Sequence, residues 1–191
     1  ANNNTAVGYN ALTANTDGFS NTAFGSRAGD AITTGDYNTA VGNLALSADT
    51  TGAGSVAIGH AALTTQNSTD SSNMYNTAVG NEAGTGITTG VRNSSVGYRT
   101  LASTTTGYYN TAIGYQAGDD ITDGFRNICI GHDADISAGN NQHTIVIGES
   151  ITAASNDFSF GKASNVVTND FDADANWSRS SDERLKKNIT N

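Results

Sequence analysis

The sequence predicts an all-β protein, a β-solenoid built from 17-residue coils, and three observations carry the prediction. A short motif ending in glycine recurs along the chain. It reads NTAVG to Gly8, NTAFG to Gly25, NTAVG to Gly42, SVAIG to Gly59, NTAVG to Gly80, NSSVG to Gly97, NTAIG to Gly114, NICIG to Gly131 and TIVIG to Gly148. Successive glycines lie 17, 17, 17, 21, 17, 17, 17 and 17 residues apart, so there are nine copies, one with a four-residue insertion within HAALTTQNSTDSSNMY. A fixed period of this kind marks stacked repeats. A tenth, weaker copy ends at Gly161 in FSFGKAS.

The second observation is local chemistry. The residues before each motif glycine suit a strand, and the glycine suits a tight corner with positive φ. A second glycine closes most copies, at Gly18, Gly35, Gly52, Gly90, Gly107 and Gly124. Each copy therefore reads as strand, corner, strand, corner. Coils of this sort stack at ~4.8 Å per rung, so nine span roughly 40 Å.

The third observation is an alternation between coils. Four residues after the motif glycine stand Leu12, Gly29, Leu46, Leu63, Gly84, Leu101 and Gly118. Three residues further on stand Asn15, Ile32, Asp49, Gln66, Ile87, Thr104 and Ile121. A Leu at the first place goes with a polar residue at the second, and a Gly with an Ile. Each coil thus supplies one large aliphatic from one of two places, which suits close packing between neighbours. The polar residues of the Leu-type coils are expected to matter much less than the isoleucines.

Composition agrees with a solenoid better than with a two-layer domain. Hydrophobic residues make up 36% of the 191 residues, and large aliphatics are scarce among them. Charged residues are only 14% and proline is absent, which is not how a disordered linker is built. The formal net charge of −9 disfavours nucleic acid, since no basic stripe exists to neutralise phosphates. No apolar run approaches the ~18 residues of a membrane span, so no membrane insertion is expected. One cysteine, Cys129, excludes an internal disulfide framework and stands where other copies carry Ala6, Ala23 or Ala40, as a small core residue.

Strand alternation points Thr5 and Val7 one way and Ala6 the other. In NICIG and TIVIG all three central positions are apolar. A lone solenoid wets one strand face, so two dry faces imply identical chains around an axis. A homotrimer is the expected form.

These repeats, SVAIG at 55–59 with NTAVG and NTAIG, resemble the head repeats of trimeric autotransporter adhesins and similar repeats of phage tail fibres. The resemblance runs from about Asn4 to Gly148 and implies a left-handed β-roll shared by three chains, although adhesin head coils are usually shorter than 17 residues.

A second resemblance lies at the end of the chain. SDERLKKNI at 181–189 is similar to the opening of the intramolecular chaperone domain of phage endosialidases, tailspikes and tail fibres, S-D-x-R-L-K-x-N-I. Taken over, it implies a chaperone that helps three chains trimerise and then cuts itself off between Ser180 and Ser181. Ser181 would be the nucleophile and Lys186 a candidate base. A short N-capped helical start is compatible with the same residues. The expected organisation is a solenoid over 1–161, a connecting segment over 162–180 containing the acidic edge strand NDFDADANW, and the truncated start of a chaperone over 181–191.

The expected function is a structural, receptor-engaging segment of a trimeric phage tail fibre, placed on the virion outside the cell and attaching to a host-surface receptor, a carbohydrate. Tyr9, Tyr98 and Tyr115 share the place after the motif glycine and could stack on sugar rings; Tyr37, Tyr75, Tyr108 and Tyr109 lie at another corner. The alternative is the head of a bacterial trimeric autotransporter adhesin, which would end in a membrane barrel rather than a chaperone. A glycan-degrading tailspike and an ice-binding solenoid are weaker readings. The first lacks an insertion large enough for a cleft. The second rests on Thr33-Thr34, Thr50-Thr51, Thr88-Thr89 and the run 104–106. No enzymatic activity is expected of this segment beyond self-cleavage in a longer chain. No cofactor and no metal are expected. His60, His132 and His143 stand at no zinc spacing, although Asp119, Asp120 and Asp123, with Asp133 or Asp135 from the next coil, could crowd round a cation.

Overall fold

In the computed structural model, residues 3–68, 70 and 72–173 are described. The chain forms thirteen strands: β1 (Thr5–Val7), β2 (Thr22–Phe24), β3 (Thr39–Val41), β4 (Val56–Ile58), β5 (Thr77–Val79), β6 (Ser94–Val96), β7 (Thr111–Ile113), β8 (Ile128–Ile130), β9 (Ala134–Ile136), β10 (Ile145–Glu149), β11 (Ile151–Ala153), β12 (Asp157–Lys162) and β13 (Asn165–Asp170). Among the described residues there is no helix. The motif strands stack in the order β1-β2-β3-β4-β5-β6-β7-β8-β10-β12-β13. All are parallel except the last pair. Register follows the motif: Ala6 faces Ala23, Ala23 faces Ala40, and Ala112 faces Cys129. The fold is a parallel β-solenoid. The tenth copy is real but shorter, with Gly148 opposite Gly161.

The expectation of a second strand in every coil is corrected. Only β9 and β11 form one, as a separate two-stranded sheet. In the other coils that segment turns continuously, because residues two and four places after the motif glycine are left-handed. Asn10 (φ 56°) and Leu12 (φ 51°) do so in the first coil, Arg27 (φ 56°) and Gly29 (φ 56°) in the next. Asp135 and Thr152 at the second of these places have no positive φ, and there the chain extends.

The core is narrow. From β2 onward the middle residue of each motif strand is buried: Ala23, Ala40, Ala57, Ala78, Ser95 and Ala112, then Cys129 in β8 as expected and Val146 in β10. Burial pushes the Cys129 thiol pKa up, so it behaves as a small apolar group. The alternation of aliphatics is a packing device. A β-carbon at Gly29 would stand 2.9 Å from Ile32 Cδ1 and 3.1 Å from Leu12 Cδ2. Gly84 lies in the same way between Leu63 and Ile87, and Gly118 between Leu101 and Ile121. The glycine of one coil makes room for its own isoleucine and for the leucine of the coil before it.

The polar partners of the leucines are not at the surface: Asp49, Gln66 and Thr104 are buried. Thr104 Oγ1 has no hydrogen-bond partner among the described residues. We therefore expect Ile87→Thr to destabilise by about 2–4 kcal/mol, the cost of a lost core aliphatic and a buried hydroxyl. Thr104→Val, which removes the orphan hydroxyl at constant shape, should be neutral or stabilising. Urea denaturation of both variants checks this; equal losses would reduce the alternation to a relic of duplication.

A second buried column runs beside the alanines. Asn21 Oδ1 accepts from Asn38 N (2.9 Å), and Asn21 Nδ2 donates to Gly35 O (2.8 Å). Asn38, Asn76, Asn93, Asn110 and Asn127 repeat one or both contacts. Where Ser55 interrupts the column, Gln66 Nε2 donates to Ser55 Oγ (3.0 Å) and Asn76 Nδ2 donates to Gln66 Oε1 (2.8 Å). Asp49 beside them accepts from Gly52 N (2.9 Å) and Ser68 N (3.2 Å), tying the insertion to the stack.

β13 reverses direction and pairs antiparallel with β12, Lys162 opposite Asn165. Of the acidic edge strand expected over NDFDADANW, residues 169–170 end β13, residues 171–173 turn, and the rest lies outside the described residues. Ser180, Ser181, Lys186 and the expected helical start lie outside the described residues.

Candidate binding surface

Because the strands stack in register, each place in the coil becomes a column on the surface. The place after the motif glycine holds Tyr9, Ser26, Asn43, His60, Asn81, Tyr98, Tyr115 and His132 in successive coils. Tyr98 and Tyr115 stack at 5.3 Å and 24°, and Tyr115 stacks on His132 at 4.9 Å and 9°. Of the three tyrosines singled out, the structure joins two and adds His132. Tyr9, 73% exposed, stands five coils away and takes no part. The column continues with Lys162 Nζ on Glu149 Oε2 at 2.9 Å, a contact that holds the Glu149 carboxyl below its usual range.

A second column contains Tyr37, Tyr75 and Tyr109 of the other corner, while its arginines and histidine escape sequence reading. Two residues before each motif strand stand Tyr37, Gly54, Tyr75, Arg92, Tyr109, Arg126 and His143. The last five have φ between 51° and 58° and are exposed. Arg92 Cζ lies 5.9 Å from the Tyr75 ring centre and 5.4 Å from that of Tyr109. Arg126 Cζ lies 5.9 Å from Tyr109 and 5.9 Å from Phe125. Arg126 Nη1 is 3.3 Å from His143 Nε2. Tyr108 and Phe125 stack beside the column at 4.9 Å and 2°. The available signal was the 17-residue spacing of Tyr75's successors, hidden because no single residue type repeats there.

The acidic corner gathers three of its five candidates. Carboxylate oxygens of Asp119, Asp120 and Asp135 lie within 4.8 Å of one another. Asp133 turns instead to His132, Oδ2 to Nδ1 at 3.1 Å. Asp123 lines a neighbouring open cleft of about 550 Å³ with Asp120, Thr122 and Ile136. Asp135 accepts from Asp120 N (2.9 Å) and Ile136 N (2.7 Å). Burial pushes its carboxyl up to about 8, against the pull of those two N–H groups and with the help of the Asp119 carboxyl and the Asp120 charge.

The outer face of the parallel sheet carries the third feature. Its strands put the middle alanine inward and the flanking residues outward. Val7, Phe24, Ile58, Val96, Ile113 and Ile147 form an exposed apolar column running nearly the length of the stack. No protein-family model, curated protein or solved structure matches this chain.

The threonine columns are used internally. Thr33 Oγ1 donates to Thr50 O (3.0 Å), Thr88 Oγ1 to Thr105 O (3.0 Å) and Thr105 Oγ1 to Thr122 O (3.3 Å). These hydroxyls are committed to the next coil, while Thr34, Thr89 and Thr106 beside them are exposed. His60 lies 3.4 Å (Nδ1) from Asn81 Nδ2, an ordinary rung contact.

Proposed function

We propose that the chain is a structural and receptor-engaging segment of a homotrimeric phage tail fibre that attaches to a host-surface glycan. The observation that carries this reading is the exposed apolar column on the sheet. Parallel sheets normally have both faces covered, and an apolar stripe longer than a few hundred Å² marks an interaction surface. The stripe has the periodicity of the repeat itself, so another copy of the same repeat fits it rung for rung. The 181–189 resemblance to the chaperone of phage fibres favours this reading over the bacterial adhesin head. Among the described residues no helix is long and apolar enough to cross a membrane. The aromatic columns supply faces for sugar rings.

Sedimentation at micromolar concentration tests the assembly. The wild type is expected to run as a trimer. Val96→Glu with Ile113→Glu, which places charges in mid-column, is expected to shift it to smaller species. A well-folded wild-type monomer would defeat the proposal.

A further inference from the structure

Resting on the glycan-attachment reading above, we infer that the Tyr75–Arg92–Tyr109–Arg126–His143 edge is a binding site for a linear acidic glycan with a carboxylate on alternate sugar rings.

The first ground is the state of the cations. Five lysines and arginines lie among the described residues. Three have carboxylate partners: Arg27 with Asp30 (2.8 Å), Arg99 with Glu82 (3.7 Å) and Lys162 with Glu149 (2.9 Å). The other two, Arg92 and Arg126, form no ion pair among the described residues, although the chain has twice as many acids as bases. Both stand on this edge, held against aromatic faces. A guanidinium held over a ring keeps in-plane N–H donors available, those of Arg126 apart from the Nη1 contact with His143, and such donors match a carboxylate in pairs.

The second ground is spacing. Rungs are ~4.8 Å apart, so Arg92 and Arg126, two coils apart, present guanidiniums at about 10 Å. An extended glycan advances by about one rung per sugar. A chain acidic at every second sugar would put successive carboxylates on the two arginines. The intervening neutral ring would lie against Tyr109, which is exposed between them. Tyr75 and His143 extend the edge by one rung each way.

A nucleic acid fits less well. It carries a phosphate at every step, and binding rests on many neutralising contacts; this edge has two arginines on a chain of net charge −9.

Calorimetric titration with a hyaluronan octasaccharide, whose glucuronates alternate with neutral sugars, tests the site. The wild type is expected to bind. Carboxyl-reduced octasaccharide should bind at least about tenfold more weakly, as should the Arg92→Gln/Arg126→Gln variant with the intact sugar, since each loses charge-assisted hydrogen bonds. Arg27→Gln, which removes an exposed arginine paired with Asp30 outside both columns, should bind as the wild type does. The arginine variant should sediment unchanged; a loss of assembly would place the edge in a subunit contact and overturn the inference. Equal binding of the acidic and reduced sugars, abolished only by Tyr98→Ala/Tyr115→Ala, would overturn it while leaving glycan attachment standing. Binding of neither sugar would sink both. Binding of oligothymidylate with the sugars inert would replace the glycan by nucleic acid.

Discussion

Gly97→Ala is expected to prevent the solenoid from folding. Gly97 has φ +134°, a conformation essentially closed to residues with a side chain. Strain of that kind costs about 1–3 kcal/mol by itself. The larger effect is steric. A β-carbon at Gly97 would fall onto the Gly114 carbonyl oxygen of the next coil and 2.7 Å from its carbonyl carbon. Backbone cannot move aside as a flexible side chain can, so the two coils must part and their ladder must open. A loss above about 4 kcal/mol is a large share of the 5–15 kcal/mol that holds a typical domain together. Gly118→Ala is the control. Gly118 has φ +64°, and its added β-carbon would meet only side-chain ends, Leu101 Cδ2 at 2.9 Å and Ile121 Cδ1 at 3.2 Å. That variant should stay folded with a loss of about 1–2 kcal/mol. Far-UV circular dichroism through urea denaturation compares them. Equal stability of the two would mean that the close stacking of motif corners does not constrain the fold.

Asn93→Ala is expected to cost about 2–5 kcal/mol, the sum of two buried groups left unpaired. Asn93 Oδ1 accepts from Asn110 N at 3.0 Å, and Asn93 Nδ2 donates to Gly107 O at 2.8 Å. Asn93 and Asn110 are almost completely buried, so water does not replace what the side chain supplied. Amide exchange at Asn110 reads the broken rung directly: its protection should fall well before that of the strand amides two coils away. A cost under about 0.5 kcal/mol, typical of a surface change, would show that the column does not hold the coils in register.

The strands were legible because the constraint that makes them also makes them repeat. A strand in a parallel stack must present the same faces at the same place, so Thr5, Thr22 and Thr39 or Ala6, Ala23 and Ala40 recur at fixed intervals. The exchange of Leu12 and Ile32 was legible for the same reason, since two sites filling one space leave a correlated pattern. The second segment was misread as a strand because Leu12, Leu46, Leu63 and Leu101 stand at positive φ, a conformation that Leu does not advertise. Burial offsets the strain: each Leu side chain gains about 1.5–3 kcal/mol on leaving water, against about 1–2 kcal/mol for a left-handed residue. The asparagine column was overlooked because Asn is normally a turn or surface residue. Its role here depends on donors and acceptors that only the stacked backbone brings within reach. The arginines and histidine of the Arg92–Tyr109 edge were hidden in another way, although its tyrosines were seen to share a corner. Its geometry is periodic while its chemistry is not, and a residue type that does not repeat leaves no trace in a search for repeats.

The reversal at β13 has a consequence for growth. A parallel stack ends in an open edge whose N–H and C=O groups could seed another coil, from the same chain or a stranger. β13 answers that edge with a strand running the other way, and leaves Asn165, Val166, Val167, Thr168 and Asp170 exposed. A further parallel coil laid against it would find the hydrogen-bonding pattern of the wrong polarity and no continuation of the alanine column. The hairpin thus works as a terminator of templating, and it lets a chain made of self-complementary units stack to a defined height rather than polymerise end to end.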